Sequence, residues 1–240
     1  MKICAAQTRP IKGDIENNIA HHVKLIELAI SHHADFIVFP ELSLTGYEPR
    51  LASLLAMNVD DGRLDVFQKI SDHKKISIVV GAPIKSKDGI YISLIIFQPY
   101  KKQQIYSKEF LHPDEETFFI SGKNNSVDLP GDIALAICYE LSVPEHSLHA
   151  FKQRAKVYIA SVAKSAIGYE KSSKILSNVA AKYSMVVLMT NCLGYCDNFE
   201  CVGQTSAWDT HGTLLGQLDD AREGIIIVDM NTLILEKFYI

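Results

Sequence analysis

No run in this chain is long and apolar enough for a membrane span: the longest, such as Ile92–Phe97, fall far short of the ~18 residues required. An excess of basic charge is missing too. With 24 Lys+Arg against 28 Asp+Glu the net charge is -4, whereas nucleic-acid binding ordinarily calls for a basic stripe. Lys74-Lys75 and Lys101-Lys102 are isolated pairs that read as solvated turns. The N-terminus, Met-Lys-Ile-Cys-Ala-Ala-Gln, lacks the apolar stretch and small-residue cleavage site of a secretion signal. Cysteines number five, an odd count that builds no disulfide framework. These absences predict a soluble, cytoplasmic protein with reduced thiols. Repeats, linkers and biased segments are wanting as well, and 48% apolar with 22% charged residues is globular composition. The 240 residues therefore read as one domain, 1–240, with a substantial core.

What is present is an alternation of strand and helix patterns. Lys2–Gln7 reads as a buried strand, and Asp14 as the cap of a helix with an apolar stripe at Ile15, Ile19, Val23, Ile26 and Ile30. Phe36–Phe39 is a short strand ended by Pro40, and a helix is predicted over Leu64–His73. Strands are expected at Ser77–Ala82, Ile90–Phe97, Gln104–Ser107, Ile133–Ile137, Val157–Ala160 and Val186–Thr190. Pro144 opens a helix to about Arg154, and Leu176, Val179 and Tyr183 share a face of another. The last third holds strands near Gln204–Trp208, Leu214–Leu218 and Gly224–Asp229. The fold class is α/β, a mixed sheet or pair of sheets covered by helices.

Three apolar strands end in a residue with chemical potential, which is where α/β proteins place sites. Glu41 follows Pro40 at the edge of the core, where desolvation raises a carboxyl toward a general-base value; an N-cap or ion-pair role fits the position equally. Lys108, in Tyr106-Ser107-Lys108-Glu109, can stabilise developing negative charge, although a solvated lysine is the commoner fate. Cys138 stops the apolar run Ala134–Ile137 just before the helix at Pro144. A sharp turn there would expose the sulfur beside free backbone N–H groups; an inert buried thiol is the alternative.

Taken in order, Phe39–Tyr47, Tyr106–Pro113 and Ile137–Glu145 resemble the glutamate, lysine and cysteine motifs of the nitrilase superfamily of carbon–nitrogen hydrolases. Ala5 and Gln7, the run Gly203-Gln204-Thr205-Ser206, Asp209 and Gly212 also resemble family positions, so the likeness runs nearly the whole chain. The resemblance implies a four-layer αββα sandwich that assembles as a homodimer or higher homo-oligomer through helices flanking the active-site side. It implies hydrolysis of an amide-type bond through a thioester, without cofactor or metal. By that carry-over Cys138 is the nucleophile, Glu41 the general base and acid, Lys108 the stabiliser of the tetrahedral intermediate, and the Tyr139 N–H part of the oxyanion hole. A second glutamate beside these three would be Glu115 or Glu116, with Glu115 preferred. Tyr47, Tyr139, Ser161 and Ala163 would lie near the substrate. The sequence departs from the usual pattern at Glu140, at Lys182 and across Ser161-Val162-Ala163-Lys164-Ser165.

Rival readings rest on other residues. Cys192, Cys196 and Cys201, with a fourth ligand such as His211, suggest zinc, but C-x3-C-x4-C lacks paired CxxC units, and a loop at the pocket rim is preferred. A Cys–His enzyme would need His146, His149 or His211 to face Cys138; the first two read as helix surface, as do the pairs His21-His22 and His32-His33. A catalytically silent binding protein on the same fold, or a nitrile hydrolase, are the functional alternatives. The expected activity is hydrolysis of a small amide or N-carbamoyl compound, releasing ammonia or an amine.

Overall fold

The computed structural model describes residues 1–123 and 127–240. In chain order the elements are β1 (Lys2–Gln7), α1 (Ile15–Ser31), β2 (Phe36–Val38), the short α2 (Ala52–Leu55), α3 (Asp65–Lys74), β3 (Ser77–Lys85), β4 (Ile90–Phe97) and β5 (Gln104–Ser107). There follow β6 (Ile133–Ile137), α4 (Pro144–Lys152), β7 (Val157–Ser161), α5 (Ala166–Tyr183) and β8 (Val186–Thr190). A hairpin of β9 (Leu193–Cys196) and β10 (Phe199–Val202) precedes β11 (Ser206–Trp208), β12 (Leu214–Gln217), β13 (Gly224–Asp229) and β14 (Leu235–Tyr239).

Among the described residues the strands form a seven-stranded sheet, β14-β13-β1-β2-β3-β4-β5, and a five-stranded sheet, β12-β11-β8-β7-β6. The first three strands with helical crossovers, β1-β2-β3, pair in parallel, as do β6-β7-β8. Side chains alternate across each strand, so one strand serves two cores. Ile3, Ala5, Ile226 and Val228 face the second sheet, while Cys4, Ala6, Ile225 and Ile227 pack on α1 and α3. The strands are thus apolar on both faces, which is why they read as near-continuous hydrophobic runs. Helices α4 and α5 cover the outer face of the second sheet, completing the expected four layers. No helix among the described residues is long and apolar enough to cross a membrane.

Helix α1 begins where predicted, with Asn17 N–H donating to Asp14 Oδ1 at 3.2 Å. Its buried face differs from the predicted stripe. The residues turned inward are Ile15, Asn18, His22, Leu25, Ile26 and Ala29, while Ile19, Val23 and Ile30 lie at the margin. Two polar residues rotate the helix: Asn18 bonds the backbones of Ile11 and Leu44, and His22 bonds Ser43 Oγ at 2.8 Å and stacks on Phe39 at 4.1 Å. His22 is therefore buried rather than exposed, because its neighbour in space is the loop after β2. The β9–β10 hairpin and β14 have no counterpart in the sequence reading. Both are short and only partly buried, so they lack the apolar run that marked the other strands.

Candidate active site

Glu41 is set on the loop that follows β2, and that loop lies directly on β3. Phe39 N–H donates to Val79 O at 2.9 Å and Leu44 N–H to Gly81 O at 3.0 Å. A Cβ at Gly81 would stand 2.4 Å from Pro40 O, so only glycine admits this approach. Leu42 takes a left-handed conformation, φ 51°, which turns the chain sharply after Glu41. From the other sheet, Ser161 Oγ at the end of β7 donates to Phe39 O at 2.8 Å.

Lys108 follows β5. Its backbone is gripped on both sides, N–H to Ile92 O at 2.8 Å and carbonyl from Gly122 N–H at 2.7 Å. Its side chain is fully buried and its ammonium spans two carboxylates, Glu41 Oε1 at 2.7 Å and Glu115 Oε1 at 2.8 Å. Glu115 closes a short 3-10 turn, Pro113–Glu115, and its other oxygen accepts the His112 N–H at 2.8 Å. Tyr47 donates its hydroxyl to Glu115 Oε1 at 2.8 Å. Every oxygen of Glu115 is thus engaged. Glu41 Oε2 is buried without a hydrogen bond of good geometry, although the carboxyl lies in contact with the Cys138 thiol. Glu41 is the carboxylate with a lone pair to spare.

Cys138 stands where β6 ends and a 3-10 turn, Cys138–Ser142, begins. Its φ of 46° is strained for a residue with a side chain, and such strain gathers at sites that must aim a group. The turn's first N–H groups, including that of Tyr139, have no partner within it. Cys138 is 9% exposed while Glu41 and Lys108 are at 0%, so of the three residues the cysteine is the one that reaches the surface.

The electrostatics follow from burial. Desolvation raises the Glu41 carboxyl above its ordinary value, against the pull of Lys108. Burial would lower Lys108, but Glu41 and its neighbours more than offset that and hold the ammonium charged. The Cys138 thiol is raised, first by desolvation and then by the nearby Glu41 charge.

The other predicted residues fall in different places. Glu116 is exposed and bonds none of these groups; one residue past the turn, it points outward. Ser161 is fully buried and its hydroxyl donates to Phe39 O, so it braces the glutamate loop. Ala163 packs against Cys192, Cys196, Cys201 and Tyr47. The Tyr47 ring meets Phe199 of β10 at 5.9 Å, and the Tyr139 ring meets His112 at 5.3 Å. Cys196 and Cys201 Sγ in the hairpin are 3.2 Å apart, and both thiols are buried, as is that of Cys192 just before it. No group of three or more His, Cys, Asp or Glu among the described residues has the arrangement of a metal site.

His146 is not helix surface. It is held between Tyr106 OH at 2.8 Å and Tyr158 OH at 2.9 Å, and stands 3.5 Å from Glu140 Oε2. Glu140, two residues after Cys138, accepts N–H bonds from Glu109 at 2.6 Å and Ile137 at 2.7 Å, with Tyr106 OH at 2.8 Å. Glu140 therefore ties the cysteine turn to the lysine segment. A surface cavity of about 830 Å³ lined by Tyr106, Phe110, Leu135 and His146 lies on the outer side of this network, away from the sulfur.

One residue of the site went unread in the sequence. Lys164, just before α5, is largely buried with its ammonium in contact with the Cys138 thiol. A lysine in a loop has no periodicity to mark it. Gln7, by contrast, was marked by resemblance, and its amide braces the far end of β1. It donates to Asp219 O and Arg222 O, accepts from Thr205 N–H, and fills the space a Cβ at Gly203 would need.

A family model described as carbon-nitrogen hydrolase matches residues 2–234. A Staphylococcus aureus protein named "Hydrolase in agr operon" is 25% identical over 96% of this chain and 91% of its own length. The glutamine-dependent NAD(+) synthetase of Acinetobacter baylyi is 29% identical over 67% of this chain, which spans 30% of that protein. Among solved structures, a variant of the amidase from Nesterenkonia sp. AN1, with the acetamide moiety of fluoroacetamide added at its active site cysteine, superposes with a TM-score of 0.86. Identity there is 19%, over 96% of this chain and 90% of that one.

Proposed function

Because the chain belongs to the carbon–nitrogen hydrolase family of the nitrilase superfamily, we propose that this enzyme hydrolyses a small amide or N-carbamoyl compound through a thioester on Cys138. The observation that carries the reading is the convergence of Glu41, Lys108 and Cys138, from three separate strand ends, into one buried cluster with Glu41 Oε2 unsatisfied beside the thiol. Glu41 takes the thiol proton and the sulfur attacks the carbonyl carbon. The oxyanion that forms is held by the Lys108 ammonium and the Tyr139 N–H. Protonated Glu41 passes its proton to the leaving nitrogen, which departs as ammonia or an amine. Water then gives its proton to Glu41 and cleaves the thioester, restoring the thiol. Glu115 and Tyr47 hold Lys108 in place throughout.

The reading extends to the whole of 1–240 as one hydrolase domain working in the cytoplasm. It also has copies pairing through α4 and α5, where Phe151 and Ile167 stand 49% and 69% exposed. Light scattering on the purified protein measures that pairing; a monomer at micromolar concentration removes it from the proposal.

The chemistry is tested by following ammonia release over a panel of small amides, ω-amides and N-carbamoyl amino acids, with intact mass spectrometry of wild type and Cys138→Ala. Turnover with an acyl mass on wild type, and neither in the folded variant, is the expected result. Release that survives Cys138→Ala would overturn the thioester.

A further inference from the structure

Lys164 belongs to none of the three motifs, yet its ammonium reaches the nucleophile. Its backbone is clamped by one side chain: Lys164 N–H donates to Asn191 Oδ1 at 2.8 Å, and its carbonyl accepts from Asn191 Nδ2 at 3.1 Å. Val202 N–H, from the hairpin, donates to the same carbonyl at 3.1 Å. The aliphatic stem lies over Gly168 of α5, where a Cβ would stand 3.1 Å from Lys164 Cδ. β6 and β7 pair at Ile137 and Ser161, so the residues that follow them, Cys138 and Lys164, come together at one end of the sheet. The ammonium so directed lies in contact with the Cys138 thiol, and among the described residues no carboxylate lies at salt-bridge distance from it.

We propose that Lys164 is a fourth catalytic residue, the counter-ion of the Cys138 thiolate. The inference rests on Cys138 being the nucleophile. Activation breaks the S–H bond and forms an O–H bond on Glu41, while the electron pair stays on sulfur. Negative charge thus leaves a carboxylate that Lys108 serves and arrives on an atom that Lys108 does not bond. A buried thiolate without a cation of its own is costly, and Glu115 nearby makes it more so. Lys164 stands at the point of arrival. Its proton is held more tightly chiefly through Cys138, and it opposes the rise that burial imposes on the thiol. The charged or titratable groups facing the sulfur are Glu41, Lys108, Glu115, Lys164, Tyr47 and Cys201. Only Lys108 and Lys164 among them are cations, and Lys108 is already shared by two carboxylates.

The test needs no substrate. Alkylation of Cys138 by iodoacetamide is followed against pH in wild type, Lys164→Met and Lys164→Arg, with the label located by peptide mass. Lys164→Met is expected to react at least about tenfold more slowly at pH 7, its inflection displaced upward by about one unit or more. Lys164→Arg restores most of the rate. If Lys164→Met does not fold, Lys164→Gln, neutral and of similar reach, carries the same comparison. A neutral variant whose profile overlays wild type would overturn the proposal, as would a weakened KM for amides with an unchanged profile, which would make Lys164 a substrate contact. A chain that alkylates as expected but hydrolyses no amide would leave the counter-ion in place and sink the proposed activity alone.

Discussion

Glu115 and Glu116 are neighbours in sequence with opposite surroundings. The first is 1% exposed and bonds Lys108, Tyr47 and the His112 N–H; the second is turned to solvent. Replacing Glu115 with Gln leaves the Lys108 ammonium with one carboxylate and places an amide N–H near it. The rate of ammonia release is expected to fall about 100-fold or more, while Glu116→Gln stays within about twofold of wild type. Equal losses in the two variants would dissolve the distinction. Residue identity alone left the pair open, since either glutamate fits a motif position. A one-residue difference at the end of a 3-10 turn decides which carboxylate points inward.

At the scale of elements, the glutamate loop is held by its contact with β3. Gly81 meets Pro40 O and Leu42 N at 2.4 and 2.5 Å from where a Cβ would be, and both are backbone atoms that cannot swing aside. Gly81→Ala is therefore expected to cost about 1–3 kcal/mol and to lower turnover by displacing Glu41. Urea unfolding and steady-state rates measure the two effects; a variant as stable and as active as wild type contradicts the account. Strand positions were legible because both faces of these strands are buried, giving apolar runs at Ile90–Phe97, Ile133–Ile137 and Val186–Thr190. The rotation of α1 was not, because an inward Asn18 and His22 look polar until the loop they bond is in place.

Across the whole molecule, buried titratable groups set opposing pH dependences. Burial holds the His22 ring down to about 3 and His146 to about 4, against an ordinary 6.5. Unfolding lets both take up a proton, so stability rises with pH from these values to 6.5 and is lost as pH falls through that window. Glu140 has the other sign. Burial pushes it to about 7 against the bonds from Ile137, Glu109 and Tyr106, so the folded chain keeps a proton that the unfolded chain releases near 4.5. Its contribution falls as pH rises from 4.5 to 7. Between pH 4.5 and 6.5 Glu140 offsets one of the two histidines, and stability still rises with pH. Glu140→Gln is expected to be less stable at any pH for want of acceptors, but its stability should climb more steeply than wild type. The two curves change their separation by up to about 2 kcal/mol over that window. Parallel curves from urea unfolding at several pH values would contradict the assignment.

The order of apolar strands and amphipathic helices, and the chemical groups at three strand ends, were determined by the sequence itself. Period and polarity are local properties, and a strand buried on both faces shows them within a few residues. What lies across the gap between two sheets is not local. Ser161 reaching Phe39 and His146 closing on Tyr106 join residues 122 and 40 positions apart. Such contacts exist only once both sheets have packed, and they are what hold the reactive groups in place.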